Sequence, residues 1–196
     1  IDKVSLGEKL DRRPQKDQLW RIAIHEVGHA IVSEVIRPGS IATLTIISRG
    51  QALGYTRQVP EDDYYLYTET YLKDQLKILL AGLAAEELLL GVGSTGAQGD
   101  LDQAIGIAKK MIQAGMSSLG LVSASDLAPV QLQKAISDIL TEEKKEVNRI
   151  LTERQSDVLA LSQNLMEKER LDGQELRETL NTTLSLDSHS TRMLAV

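Results

Sequence analysis

The stretch RIAIHEVGHAIVSEVI, residues 21–36, places two of the chain's three histidines four residues apart inside an apolar run. Nothing from about Gln15 to Ile36 breaks a helix, and Pro38 and Gly39 then end it. At about 100° per residue, apolar side chains fall on both sides of this helix, which is typical of a helix buried among other elements. The sequence therefore predicts a buried helix that carries both histidines on one face.

This helix contains an H-E-x-x-H motif, which is formed by His25, Glu26 and His29. Residues i and i+4 lie about 6 Å apart along a helix and about 40° apart around it, so two imidazoles can share one tetrahedral metal ion. Glu26 is close enough to reach a water on that metal as a general base. The pattern is typical of zinc hydrolases. A buried helix also favours a shared metal over chance spacing, because unpaired polar groups there are costly.

The third metal ligand is not decided by spacing. The chain has no cysteine, so a carboxylate or the remaining histidine must supply it, and His189 in the C-terminal tail is a poor candidate. Glu86 flanks the apolar stripe of a second predicted helix, where a carboxylate needs a partner. Asp100 ends a glycine-rich loop where another helix begins. Asp100 could equally be an N-cap, and Glu86 could equally be a charge at the edge of the surface. Spacing therefore favours neither residue as the third ligand.

The other periodicities predict a mainly α fold with a small β-sheet. Residues 41–59 are rich in β-branched side chains and are interrupted at 48–51, which predicts two paired strands. Helices are predicted at 69–90, around 101–112, over 130–170 as one helix or two joined tightly, and after a capping box that begins at Asp172. We expect a linker at 1–14, one domain at 15–180 and a disordered tail at 181–196. Within the domain, residues 15–115 form the metal-site part and 130–180 a helical C-terminal part.

Composition and sequence pattern argue against several classes of function. The net charge of −6, without a basic cluster, argues against nucleic-acid binding. Residues 91–96 spell G-x-G-x-x-G, but they follow a helix rather than a strand, so no dinucleotide site is predicted. No run of about 20 apolar residues could span a membrane, and no direct membrane contact is expected. Because the sequence starts at Ile1 without a signal pattern, we expect it to be a piece of a longer protein.

Several blocks together resemble the protease domain of the FtsH family of membrane-anchored, ATP-dependent AAA+ zinc metalloproteases. The blocks are HEVGHAIV (25–32), SRGQALGYT (48–56), AGLAAEELLLG (81–91), STGAQGDLDQA (94–104) and LDGQEL (171–176). They follow the family's order, and the resemblance runs over about residues 1–180. Two departures are visible: residues 81–83 read Ala-Gly-Leu where the family usually has Gly-Gly-Arg, and the segment 116–130 is short. Neither departure falls on a predicted ligand.

The resemblance implies a zincin-like metalloprotease domain whose Zn²⁺ ligands are His25, His29 and Asp100, since the Asp of the S-T-G-A-x-x-D block is the family's third ligand. It implies that Glu26 is the catalytic base and that Glu86 supports a ligand histidine from behind. It also implies that an extended polypeptide substrate pairs with an edge strand, which is formed by Ala52, Leu53, Gly54, Tyr55 and Thr56.

For the parent protein, the resemblance implies a homo-hexamer that unfolds substrates with ATP and delivers unfolded or membrane-derived chains to this domain. It implies an anchor in the bacterial inner membrane, or an organelle equivalent, with the protease domain on the cytoplasmic side and an ATPase ending near residue 14. Two alternatives stay open. One is an inactive homologue that only binds unfolded segments or scaffolds a ring. The other is a different zinc peptidase that cleaves small peptides and uses Glu86 as a ligand.

Overall fold

The structure is a computed structural model that describes residues 14–47, 54–58, 66–122 and 127–180. Within these ranges the elements are, in chain order, α1 (Lys16–Ile36), β1 (Ile41–Thr45), β2 (Tyr55–Gln58), α2 (Glu69–Leu90), α3 (Gln98–Gln113), α4 (Pro129–Glu153), α5 (Gln155–Lys168), β3 (Arg170–Asp172) and α6 (173–180). The predicted linker up to residue 13, the predicted tail at 181–196, and Ala52 and Leu53 of the predicted substrate strand lie outside the described residues.

Helix α1 is buried on both sides, as its sequence predicts. Ile24 and Val27 on one side and Val32 on the other are fully buried. Its contact with α2 is very close at Gly28, where a Cβ would lie 2.6 Å from both the carbonyl oxygen of Ala81 and the Cβ of Ala85. The absence of a side chain at Gly28 therefore lets the two helix backbones approach each other.

The sheet has three antiparallel strands in the order β2–β1–β3. Strands β1 and β2 form the predicted pair, whereas β3 was not predicted, because it is only three residues long and joins a helical pattern to a capping box. Leu171 of β3 pairs with Leu44 of β1, and both side chains are fully buried. Glu169 ends α5 with a left-handed φ of 59° and so turns the chain into β3.

The last third of the described chain forms a helical layer against α1 and α2. The long helical pattern over 130–170 is two helices, which are separated at Arg154 by a backbone conformation of φ −113° and ψ 22°. The predicted capping box is present, since Asp172 Oδ1 accepts from the N–H of Glu175 at 2.9 Å and Glu175 Oε2 accepts from the N–H of Asp172 at 3.0 Å. One apolar core joins this layer to α1 and α2 through Val147, Leu151, Val158, Leu161 and Leu165.

A buried carboxylate fastens the end of α1 to the sheet and to α6. Glu34 accepts hydrogen bonds from the N–H groups of Gly39 and Ile41 at 2.8 and 2.9 Å. Arg177 of α6 lies 3.2 Å from the same carboxylate and supplies the opposite charge. A buried charge needs such pairing, so this cluster fixes where α1 ends and where β1 begins.

The prediction of a mainly α fold with a small β-sheet is confirmed. Asp100, which was expected where a helix begins, lies in the first turn of α3 after a 3₁₀ turn at Thr95–Ala97. Among the helices that the structure describes, none is both long and apolar enough to cross a membrane.

Replacing Gly28 with alanine is expected to lower the free energy of unfolding of the metal-free protein by about 1–3 kcal/mol, because the new methyl group overpacks the contact with Ala81 and Ala85. Urea denaturation followed by circular dichroism measures this change. Gly106→Ala in α3 is the matched control, since a Cβ there has no neighbour within 4 Å and alanine favours a helix. Equal stability of the two variants would contradict the tight crossing of α1 and α2.

Candidate metal centre

Two helices bring the three predicted metal ligands together. α1 supplies His25 and His29, whose four-residue spacing brings the rings edge to face, with their centroids 4.7 Å apart and their planes at 74°. The first turn of α3 supplies Asp100. His25 Nε2 lies 3.0 Å from His29 Nε2, and Asp100 Oδ2 lies 3.1 Å from the former and 3.3 Å from the latter. Three potential ligand atoms thus surround one point.

The hydrogen bonds made by the Nδ1 atoms determine which nitrogen of each imidazole carries the hydrogen. His29 Nδ1 lies 2.7 Å from the carbonyl oxygen of Ile78, and His25 Nδ1 lies 2.8 Å from Glu86 Oε1. Both partners are acceptors, so each Nδ1 carries the hydrogen. In the neutral rings each Nε2 therefore presents a lone pair, and Asp100 Oδ2 presents another. Such a cluster of acceptors requires a cation or a proton at its centre.

The donor set and its spacing fit zinc. Two imidazoles and one carboxylate are a common catalytic zinc set, and bonds of about 2.0–2.2 Å in tetrahedral geometry place ligand atoms about 3.3–3.6 Å apart. The three observed separations lie close to that range. Gly82 of α2 keeps the place open, because a Cβ there would lie 2.5 Å from His25 Nε2 and 2.6 Å from His29 Nε2. The residues present thus fit a zinc ion with one position left for water or substrate.

Glu86 lies behind His25, on the side of the ring opposite to Asp100. Its side chain is only 1% exposed, and it accepts hydrogen bonds from His25 Nδ1, from Arg21 Nη1 at 2.6 Å and from Ser94 Oγ at 3.1 Å. Burial opposes ionisation, but the hydrogen bonds from His25, Arg21 and Ser94 lower the pKa of Glu86 below its usual value. This carboxylate is placed to orient a ring and to favour its Nδ1–H form.

Glu26 points into the same cleft and is held from the sheet. Thr56 Oγ1 lies 2.9 Å from Glu26 Oε2 and donates to it. Gly54, just before β2, lies against the base, because a Cβ there would come within 3.1 Å of Glu26 Cγ. Burial raises the pKa of Glu26, while His29, His25 and Thr56 counteract that rise. A buried carboxylate with a raised pKa is a stronger proton acceptor than an exposed one.

A cleft of about 1360 Å³ contains this centre and runs along β2. Of the predicted substrate strand, Gly54, Tyr55 and Thr56 line the cleft. Among the described strands, β2 is paired only with β1, so its other edge is not covered by a strand. This edge is where an extended peptide could form backbone hydrogen bonds.

His25 and Asp100 change each other's ionisation in the metal-free protein. Burial opposes a charge on His25, but hydrogen bonds to Asp100 and Glu86 and the charge of Glu26 raise its pKa from 6.5 to about 9. Burial likewise opposes the charge on Asp100, yet His25 and His29 lower its pKa well below the usual range. A proton therefore takes the central position when no metal is bound.

Sequence reasoning missed several residues around the centre. Arg21 and Ser94, which hold Glu86, were not singled out, and Gly82 was noted only as part of a departure from the family pattern. Thr56 was assigned only to the substrate strand, although it also contacts the base. A usable signal exists for Arg21 alone, because Arg21, His25 and His29 follow one another at four-residue steps on one stripe of α1.

The fold and this arrangement fit a zinc-dependent metalloprotease domain, and comparison with known proteins shows that class. The family model of peptidase family M41 matches residues 14–179 of the chain. The chain belongs to peptidase family M41, and the resemblance to FtsH protease domains is confirmed.

Three curated relatives illustrate the similarity. ATP-dependent zinc metalloprotease FtsH 2 of Symbiobacterium thermophilum is 36% identical over 198 residues, covering 92% of this chain and 34% of that protein. ATP-dependent zinc metalloprotease FtsH of Thermobaculum terrenum is 36% identical over 203 residues, which cover 98% of this chain and 31% of that protein. ATP-dependent zinc metalloprotease FtsH 2 of Sphaerobacter thermophilus is 38% identical over 193 residues, which cover 92% of this chain and 29% of that protein. The chain therefore spans about a third of the length of these relatives.

Gly82→Ala is expected to weaken zinc binding by at least about tenfold, because the methyl group would occupy space next to both Nε2 atoms. Competition with a chromophoric zinc chelator measures the affinity. Gly99→Ala, next to Asp100 but with no neighbour within 4 Å of the new Cβ, is the matched control and should bind zinc normally. Wild-type affinity in Gly82→Ala would show that zinc, if bound, does not lie against this face of α2.

The metal-free protein is expected to lose stability as the pH rises from 6.5 to about 9, because the pKa of His25 is higher in the folded chain than in the unfolded chain. The stabilisation is complete below pH 6.5 and lost above about 9, and that change corresponds to at most about 3 kcal/mol. Urea denaturation in the presence of a chelator, at pH values on both sides of this window, measures it. A His25→Gln variant with the same pH dependence as the wild type would contradict the assignment to His25.

Proposed function

We propose that this chain is the proteolytic domain of an ATP-dependent protease and that it hydrolyses peptide bonds in unfolded or membrane-derived polypeptides. In this proposal His25, His29 and Asp100 hold one Zn²⁺, Glu26 is the general base, and Glu86 orients His25. The domain extends over residues 15–180, with the zinc-site part in 15–115 and the helical part in 130–180.

One observation carries the proposal. The Nε2 atoms of His25 and His29 and the Oδ2 atom of Asp100 converge within 3.3 Å of one another. In the neutral rings, the hydrogen bonds at Nδ1 leave a lone pair on each Nε2 atom beside this carboxylate oxygen. Glu86 contacts the other nitrogen of His25, on the far side of the ring from this cluster. This supports Asp100 over Glu86 as the third ligand.

Zinc in this site would polarise the scissile carbonyl and make water a nucleophile near neutral pH. The chain's own residues then handle the proton. Glu26 is placed to take it from the attacking water and to deliver it to the leaving amine. Thr56 holds one carboxylate oxygen, Oε2, which leaves Oε1 without a hydrogen-bond partner among the described residues and available to the water. The hydrogen bond to Thr56 also keeps the carboxylate turned toward the cleft.

The substrate is proposed to bind as an added strand along the outer edge of β2. Backbone hydrogen bonds recognise an extended chain regardless of its sequence, so broad selectivity among unfolded polypeptides follows. Tyr55, Thr56 and Gln58 line the cleft on this side, and Ile78 and Leu79 offer apolar contact surface within the same cleft. A folded protein presents few free strands, which is why delivery in unfolded form suits this site.

For the parent protein we propose an ATP-driven homo-hexamer, anchored in a membrane with this domain on the cytoplasmic side. The relatives' names support ATP dependence, and the matched third of their length leaves room for an ATPase and an anchor in a longer chain. In that arrangement the ATPase unfolds substrates and this domain cleaves them.

Glu26→Gln is expected to keep about one zinc per chain and to lower cleavage of unfolded casein by about 10²-fold or more, because the amide cannot accept the water's proton. Asp100→Ala is expected to lose most of the zinc along with the activity. Elemental analysis and a casein-cleavage assay of zinc-reconstituted protein measure both effects.

Asp102→Ala is the matched control, since this exposed residue lies on the same helix as Asp100. It should keep both zinc and activity. Zinc retained in Asp100→Ala but lost in Glu86→Gln would assign the third position to Glu86. A zinc-loaded wild type that cleaves nothing even as a hexamer would favour a scaffold, and full activity in Glu26→Gln would disprove the proposed base.

A further inference from the structure

We propose that Arg21 is a positioning residue of the metal centre, which acts through Glu86 to keep His25 Nε2 aimed at the metal and which also holds the connection that leads to Asp100. This inference rests on the proposed function, because it assumes that His25 and Asp100 bind zinc. It concerns a residue outside the H-E-x-x-H motif and outside the glycine-rich block.

The guanidinium of Arg21 contacts two different elements with one nitrogen. Arg21 Nη1 lies 2.6 Å from Glu86 Oε2 of α2 and 2.8 Å from the carbonyl oxygen of Val92, in the connection between α2 and α3. Since Arg21 itself belongs to α1, three parts of the fold meet at this one group. All three carry or lead to a residue of the proposed zinc site.

The two carboxylate oxygens of Glu86 accept hydrogen bonds from different partners. Oε1 accepts from His25 Nδ1 and from Ser94 Oγ, whereas Oε2 accepts from Arg21. Without the guanidinium, Oε2 has no other hydrogen-bond partner among the described residues. Because Glu86 is 1% exposed, water cannot readily replace the lost partner, and a buried carboxylate left half-paired would rotate or withdraw from His25.

The contact with Val92 extends the effect to the third ligand. Val92 lies in the short connection that leaves α2 after Gly91 and enters the 3₁₀ turn before α3. Ser94 in the same connection is bonded to Glu86. Arg21 and Ser94 together therefore fasten the chain segment that delivers Asp100. Loss of Arg21 would loosen His25 and Asp100 at once.

The test compares the zinc affinity of wild type, Arg21→Met and Arg21→Lys by chelator competition. Arg21→Met removes the charge and the donors at similar length, and it is expected to weaken zinc binding about 10- to 100-fold. Arg21→Lys keeps a cation with three donors and is expected to restore affinity to within about threefold of wild type. Arg149→Met, at an exposed position of α4, is the matched control and should change nothing.

A second readout separates positioning from general destabilisation. In the cobalt-substituted protein, Arg21→Met should alter the visible absorption spectrum and Arg21→Lys should restore it, while urea denaturation of the metal-free proteins checks that the fold is kept. In a Glu86→Gln background, Arg21→Met should weaken zinc binding by clearly less than it does in the wild-type background, because the route through Glu86 is already broken and only the contact with Val92 is left to lose. If Arg21→Met does not fold, Arg21→Gln replaces it under the same criteria.

Wild-type affinity in Arg21→Met, or a loss that simply adds to that of Glu86→Gln, would overturn the role of Arg21 and leave the proposed zinc site intact. A wild-type protein that binds no zinc would instead overturn the proposed function itself. The two failures are therefore distinguishable.

Discussion

The close contact between α1 and α2 is the constraint on which the centre depends. α1 carries the two histidines, but α2 supplies the acceptor for each Nδ1: the carbonyl of Ile78 for His29 and the carboxylate of Glu86 for His25. These bonds form only because the helices approach closely, which Gly28 permits at the crossing. Gly82 on α2 then leaves room for a metal where any side chain would meet both Nε2 atoms. The packing of α1 against α2 therefore also determines how the two imidazole rings are oriented.

Two carboxylates flank the same imidazole and serve different purposes because they face different nitrogens. Glu86 contacts Nδ1 of His25 and Asp100 contacts Nε2. The surroundings match this division, since Glu86 is almost fully buried and is paired with Arg21, whereas the side chain of Asp100 is 24% exposed. A ring held between two anions is a strong base, which favours binding of a proton or a metal cation at Nε2.

The sequence predicted what depends on local pattern. Periodicity located α1, α2 and the strand pair, and the four-residue spacing predicted that His25 and His29 share a face. It left Glu86 and Asp100 undecided, because only the packing of α2 and α3 against α1 determines which nitrogen each one meets. The same reason hid Arg21 and Gly82, whose roles exist only across elements, and β3, whose three residues pair with a strand more than a hundred positions earlier. Local pattern thus predicts elements and motifs, and contacts between elements decide roles.

The sheet joins the proposed base to the proposed substrate edge. Gly54 lies against the side chain of Glu26, and Thr56, two residues later, donates to its carboxylate. A peptide paired with β2 would be positioned by the backbone of the strand whose Thr56 side chain contacts the base. The hydrogen bond from Thr56 therefore links the proton acceptor, which belongs to α1, to the strand that would hold the peptide bond. Under the proposed mechanism this preserves their alignment for substrates of any sequence, because the alignment depends on the backbone of β2 and not on a pocket for a particular side chain.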